Sequence, residues 1–410
     1  SFQCTSIYSS HTRKGKYTMK KFFVAVLALM LLVGCSGNNS NGGNQGGNDD
    51  GQATYKIGLH YELTGAVADY GFAECKGSKL AIKQANEAAG YEKYTYVEYD
   101  NKSDAGEAVS LATKLVQDGV VGVVGPATSG ASAASYQILN DAKILVVSPS
   151  ATANNQTLTN PDDPTSAVYD YVFRVCFEDS YQGAAMAQYA FDTLGKTKAV
   201  IYGDSSSDYA KGLKEAFETQ FTKIGGTVVA TENFVSGDTD FKAVLTKVKD
   251  MDFDVIYVPG YYNEAGLIIK QARDMGIDCE ILGPDGFDSV TLVDLAGNTN
   301  LNKVYFTTAF TTVGASDTLN AFMEAYKAEY NEEPAMFAAL AFDATNALIQ
   351  AVEAAGSNDP EAVQKAMAAM NFSGITGDFT YDATHTPVKS VLVVELVDGV
   401  QADAVFTSPK

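Results

Sequence analysis

The sequence predicts an α/β protein of two doubly wound parallel-sheet lobes. Three observations predict it. The chain has 410 residues, too many for one ordinary core and enough for two. From Tyr55 onward, short apolar runs alternate with stretches of helical spacing. That alternation restarts at Lys198. Composition agrees with a globular body: 46% hydrophobic and 19% charged residues.

In the first half, 55–60 (YKIGLH) reads as a strand and 72–89 as a helix stopped by Gly90. Residues 94–99 (YTYVEY) are aromatic and β-branched, as strands are. A helix is expected over 105–117, a buried strand over 120–124 (VVGVV), a helix over 132–141 and a strand over 144–147 (ILVV). This β-α-β-α order implies parallel strands with crossover helices. The second half repeats it: strands at 198–202, 227–232, 255–258, 280–282 and 304–307, with helices over 209–223, 241–249 and 264–275. Helices over 319–330, 338–355 and 361–370 follow, and 391–396 (VLVVEL) before Asp398-Gly399 reads as a late hairpin.

The N-terminal 53 residues have a different character. Met19-Lys20-Lys21 is a short positive region, and 22–33 is an unbroken apolar run of 12 residues. That is well short of the roughly 20 needed to span a bilayer, and it suits the core of a signal peptide. Leu32-Val33-Gly34-Cys35 follows and matches a bacterial lipobox, in which small residues admit the signal peptidase and the Cys35 thiol takes the lipid. Residues 1–18 read as upstream translated sequence, and 35–53, rich in Gly and Asn, as a flexible tether that can bury no core. The expectation is an exported protein lipid-anchored on the outer face of the cytoplasmic membrane, or in the periplasm where the host has an outer membrane.

Charge and composition exclude several functions. Lys+Arg is 29 against Asp+Glu 50, a net −21, which becomes −26 without residues 1–34 because these carry five basic residues and no acid. Such acidity argues against nucleic-acid partners and fits a dispersed, monomeric exported domain. Cys4, Cys35, Cys75, Cys176 and Cys279 form no C-x-x-C pair; with Cys4 upstream and Cys35 modified, three remain and cannot all pair. His11, His60 and His385 are too scattered for a metal site. There is no nucleophile elbow, P-loop or H-E-x-x-H, so the reading is not an enzyme, with no cofactor and no metal.

Ligands of open parallel sheets sit beyond the carboxyl ends of the strands. The loops there read Gly125-Pro126-Ala127-Thr128-Ser129, Ser148-Pro149-Ser150-Ala151-Thr152, Gly203-Asp204-Ser205, Pro259-Gly260-Tyr261-Tyr262 and Gly283-Pro284-Asp285-Gly286. Hydroxyls and unpaired backbone N–H groups in such loops suit a carboxylate.

Taken in order, LTGAVADYG (63–71), VEYD (97–100), GVVGPATSGAS (122–132), SPSAT (148–152), SSDYAKGL (206–213), FDVIYVPGYYNEAG (253–266) and GPDG (283–286) resemble the branched-chain amino acid (Leu/Ile/Val) and related solute-binding proteins of ABC transporters, with the type I periplasmic-binding fold. The likeness covers about residues 54–400. It implies a receptor that delivers an amino acid, branched-chain by expectation, to an ABC permease complex. It implies that Ser129 and Thr152 bind the α-carboxylate, that backbone at Ser150 and the Asp285 carboxylate meet the ammonium, that Tyr209 and Tyr261 close over the ligand, and that Tyr70 and Phe337 line the side-chain pocket. It also implies a hinge of three crossings, near 177–180, 307–311 and 381–387, dividing the chain into 54–177 plus 308–382 and 178–307 plus 383–410. A disulfide found in some members is replaced here by Ser103 and Thr128, and the acid is Asp rather than Glu.

On the residues alone, other readings stay open. Asp285 between Gly-Pro and Gly fits a plain turn, Ser129 fits an N-cap, Thr152 fits loop surface, and Tyr209 and Tyr261 fit core aromatics. A sensory lipoprotein docking on a receptor kinase, a binder of a related amide or small solute, and a hydrolase on the same scaffold are the alternative functions.

Overall fold

The computed structural model describes residues 52–410. The expected export segment, Cys35 and nearly all of the tether lie outside the described residues.

The first sheet has five parallel strands in the order β2-β1-β3-β4-β5: β1 Tyr55–Tyr61, β2 Tyr94–Asp100, β3 Gly122–Val124, β4 Leu145–Ser148 and β5 Val172–Arg174. Every residue of β3, β4 and β5 is buried, because helices cover both faces of the sheet. Its crossovers are α1 Ala68–Ala89, α2 Ala105–Asp118 and α3 Ser129–Asp141. Asp104 caps α2 by accepting from Glu107 N at 2.9 Å.

The second sheet contains β6 Lys198–Asp204, β7 Thr227–Phe234, β8 Val255–Tyr257, β9 Glu280–Gly283 and β10 Val304–Thr308, all parallel. It is served by α4 Asp179–Asp192, α5 Asp208–Lys223, α6 Lys242–Lys249, α7 Tyr262–Asp274 and α8 Val290–Ala296. The hairpin expected near the C-terminus is β13 Val391–Val397 and β14 Val400–Thr407, and it joins β10 antiparallel at the edge of this sheet. The second sheet is therefore mixed, seven strands in the order β14-β13-β10-β9-β8-β6-β7, with the expected hairpin added to its parallel part. Between the two parts of this sheet lie α9 Asp317–Tyr330, α10 Met336–Ala355, α11 Pro360–Ala368 and a separate hairpin of β11 Asn371–Gly374 and β12 Gly377–Thr380. Helix α10 packs on α1, β3 and β4, so it belongs with the first sheet.

Three differences from the sequence reading have physical causes. Helix α4 was absent from that reading: its DSYQGAAMAQYAFD sequence is buried around most of its circumference, so it carries no two-faced period. Strand β5 is three residues long, too short to show a pattern. Helices α1 and α3 begin at Ala68 and Ser129, earlier than the expected 72 and 132, because their first turns, ADYG and SGAS, are too short of apolar residues to show a helical period.

The chain passes between the two sheets three times, from β5 into α4, from β10 toward α9, and from β12 into β13. The first passage is held by Arg174, fully buried, whose Nη1 donates to Ala153 O at 2.8 Å and whose Nε donates to Thr386 Oγ1 at 3.0 Å on the third passage. Cys75, Cys176 and Cys279 are all free. Among the described residues no helix is long and apolar enough to cross a membrane.

Candidate functional site

Loops at the carboxyl ends of both sheets meet across one gap, lined by Tyr70, Ala127, Thr128, Ser129, Ser150, Tyr209, Tyr261, Asp285, Gly286 and Phe337. Seven of the eight ligand residues expected from sequence are thus brought together. The exception is Thr152. It is wholly buried behind its loop, its backbone oxygen accepts from Asp179 N at 2.9 Å, and its Oγ1 has no partner among the described residues.

On the first-sheet side, β3 runs into the loop that starts α3. Thr128, not Ser129, is the N-cap residue, and its hydroxyl is turned away to Glu62. Ser129 is the first helical residue, and its Oγ accepts from Ala153 N at 3.1 Å, which ties the two hydroxyl-bearing loops together. Helix α3 begins at Ser129, which lines the gap, so the positive end of the helix dipole lies at this rim, an arrangement that favours an anion. The loop is shaped from behind: Glu62, wholly buried at the end of β1, accepts from Ala127 N at 3.0 Å, Thr128 N at 3.0 Å and Thr128 Oγ1 at 2.7 Å. Burial raises the Glu62 carboxyl while these donors pull it back. Where some relatives of the resembled family have a disulfide, Ser103 Oγ donates to Thr64 O at 2.9 Å and Thr128 binds Glu62.

On the second-sheet side, β9 runs into a turn carrying Asp285. Its Oδ1 accepts from Tyr209 OH at 2.5 Å and from Gln182 Nε2 at 3.0 Å. Gln182 is fixed in turn, because its Oε1 accepts from Thr307 Oγ1 at 2.6 Å and its Nε2 also donates to Asp179 Oδ1 at 2.8 Å. Burial pushes the Asp285 carboxyl up to about 6, against the pull of the Tyr209 and Gln182 donors. Asp179 is raised further, first by burial and then by the charge of Asp285 beside it. Gly286 leaves room that no other residue would: a Cβ there would lie 3.0 Å from both the Tyr209 and the Tyr70 hydroxyls.

Between the rims stand aromatic rings. Tyr70 lies 4.2 Å from Phe337 and 5.6 Å from Tyr261 between centroids, and Tyr261 stacks on Tyr209 at 5.1 Å. Their faces offer an apolar wall. The sides are drawn together directly: Tyr70 OH donates to Gly286 O at 2.6 Å, Ser289 Oγ to Asp69 Oδ2 at 2.7 Å, and Tyr262 OH to Ala66 O at 3.2 Å. The gap left between them is small, about 230 Å³, and these bonds shut the two sides on each other. That size suits a ligand smaller than the drug-sized molecules of larger pockets.

Sequence reasoning missed Glu62, Glu74, Asp179, Gln182 and Thr307, which hold the lining residues in place. The only local signal for two of them was Asp179 and Gln182 spaced i, i+3, which puts both on one helix face.

Comparison with known proteins gives one consistent answer. The periplasmic binding protein family model matches residues 54–401. Leu/Ile/Val-binding protein homolog 1 of Brucella abortus is 31% identical over 334 residues, covering 81% of this chain and 87% of that protein. The leucine-, isoleucine-, valine-, threonine- and alanine-binding protein of Pseudomonas aeruginosa is also 31% identical, covering 80% and 86%. Among solved structures, the branched-chain amino acid transporter substrate-binding protein LivJ of Streptococcus pneumoniae, in complex with isoleucine, superposes with a TM-score of 0.80 at 42% identity, covering 87% of this chain and all of that one.

Proposed function

Because the chain belongs to the periplasmic binding protein family, we propose that it is the extracytoplasmic solute-binding receptor of an ABC importer for amino acids, with a branched apolar side chain preferred. The observation that carries this reading is the chemistry of the gap: an N–H and hydroxyl rim faces a buried carboxylate across a wall of aromatic rings. A zwitterion needs donors for its carboxylate and an acid for its ammonium, both removed from water.

In this reading Ser129, backbone at Ser150 and the α3 N-terminus hold the α-carboxylate. Thr152 serves from behind, through the loop it anchors. Asp285 takes the ammonium, and Tyr70, Tyr209, Tyr261 and Phe337 enclose the side chain. The charges of rim and ligand match, and in this reading the protein binds its solute without catalysis. Lobes 54–177 plus 308–382 and 178–307 plus 383–410 close about the three passages. The protein works as a monomer held to the membrane by lipid on Cys35.

Calorimetry on residues 52–410 with a panel of amino acids tests the reading. Leucine, isoleucine or valine should bind at micromolar dissociation constants or tighter, ahead of charged amino acids. Failure of every amino acid to bind below millimolar sinks the assignment.

A further inference from the structure

Beneath the hydroxyl loops lie two buried carboxyl groups, Glu62 and Glu74, and the hydrogens around them cannot be shared equally. Glu62 receives three donors. Glu74, wholly buried on α1, has a single partner: its Oε1 is in short contact with Ser150 Oγ. Its Oε2 has none among the described residues.

Ser150 Oγ also lies 2.8 Å from the backbone oxygen of Ala127. A hydroxyl has one hydrogen, and a backbone carbonyl has none to give. Two bare oxygens would repel at that distance, so the hydrogen between Ser150 and Ala127 belongs to Ser150. The hydrogen between Ser150 and Glu74 must then come from Glu74.

We propose that Glu74 is a neutral carboxylic acid that donates from Oε1 to Ser150 Oγ, which donates onward to Ala127 O, so that Glu74 is the positioning residue for the rim that receives the ligand carboxylate. The inference deepens the proposed function and rests on it for the identity of the ligand, but the protonation argument does not need the ligand. The unpartnered Oε2 agrees: a bare buried carboxylate oxygen is far costlier than the carbonyl oxygen of a neutral acid. Burial raises the Glu74 carboxyl well above the ordinary range, and the charge of Glu62, the residue that follows β1, raises it further. The phenol of Tyr61, on β1, also faces Glu74, and burial raises it well above its ordinary range. A proton on Glu74 keeps a second negative charge away from the place where an anion is to sit, while Glu62 stays the acceptor that shapes the loop.

The test combines infrared difference spectroscopy and calorimetry on residues 52–410 and its Glu74→Gln and Glu74→Leu variants at neutral pH. The wild-type-minus-Glu74→Gln spectrum should carry the carbonyl stretch of a protonated carboxylic acid; a carboxylate pair of bands in its place overturns the proposal. Glu74→Gln, which keeps a donor, should bind the preferred amino acid within about threefold of wild type, and Glu74→Leu should bind about tenfold more weakly, the scale of one hydrogen bond. Equal affinity for all three proteins overturns the positioning role. If Glu74→Leu does not fold, Ser150→Ala, which removes the relay from Glu74 to Ala127 O, takes its place and should weaken binding by a similar factor; affinity equal to wild type overturns the positioning role. If the wild type binds no amino acid, the proposed function fails, and the infrared band still reports on the proton.

Discussion

The two rims of the gap handle negative charge in opposite ways. On the first-sheet side the acids stand behind the lining: Glu62 grips the backbone and hydroxyl of the 127–128 loop, and Glu74 meets only Ser150. What faces the gap there is neutral or positive, hydroxyls and the start of α3. On the second-sheet side the acid itself, Asp285, lines the gap, held by Tyr209 and Gln182. Both rims are built on strand-end loops, so the difference does not come from the fold. It comes from what each acid meets: Glu62 spends its acceptors on the protein's own donors, Glu74 faces Ser150 behind the lining, and Asp285 stands at the gap itself.

The largest way to break that contrast is Asp285→Ala. Losing Asp285, the one acid lining the gap among the described residues, should weaken binding of zwitterions by at least ~2 kcal/mol, about thirtyfold, because the ligand ammonium is then buried unpaired. Calorimetry checks it, and unchanged affinity removes Asp285 from the site.

Acidification should break it next. The Asp285 carboxyl is raised to about 6 in the ligand-free protein, and an ammonium pairs with its ionised form. Affinity should therefore be full above that pH and fall as pH drops through about 6. A dissociation constant constant from pH 8 to pH 5 contradicts this.

The mildest change sharpens the contrast, because Tyr70 belongs to one rim and bonds the other. Tyr70→Phe keeps the ring against Phe337 and removes the hydrogen bond to Gly286 O. Affinity should fall by about 1 kcal/mol, several-fold, mostly as faster dissociation in stopped-flow. An unchanged off-rate would mean that this bond does not help hold the rims together.

Much was legible beforehand. The alternation of apolar runs and helical stretches located most strands and helices, since buried parallel strands and amphipathic helices leave periods in a chain. Strand ends pointed to the right loops, and seven of the eight named residues line one gap. Helix α4 left no period because it is buried almost all round, and with it went Asp179 and Gln182.

The sequence by itself determined the class of fold, the repeated lobe and the loops that carry the chemistry, because these follow from local periodicity and from polar residues placed directly after strands. Only the tertiary structure decided which polar groups are already spent on one another. That Thr152 is walled off, that Glu62 shapes a loop, and that a single hydrogen stands between Ser150 and Ala127 all depend on contacts between residues as far as 76 positions apart. Hydrogen bonds reach about 3 Å in space whatever the distance along the chain, and no local pattern records them.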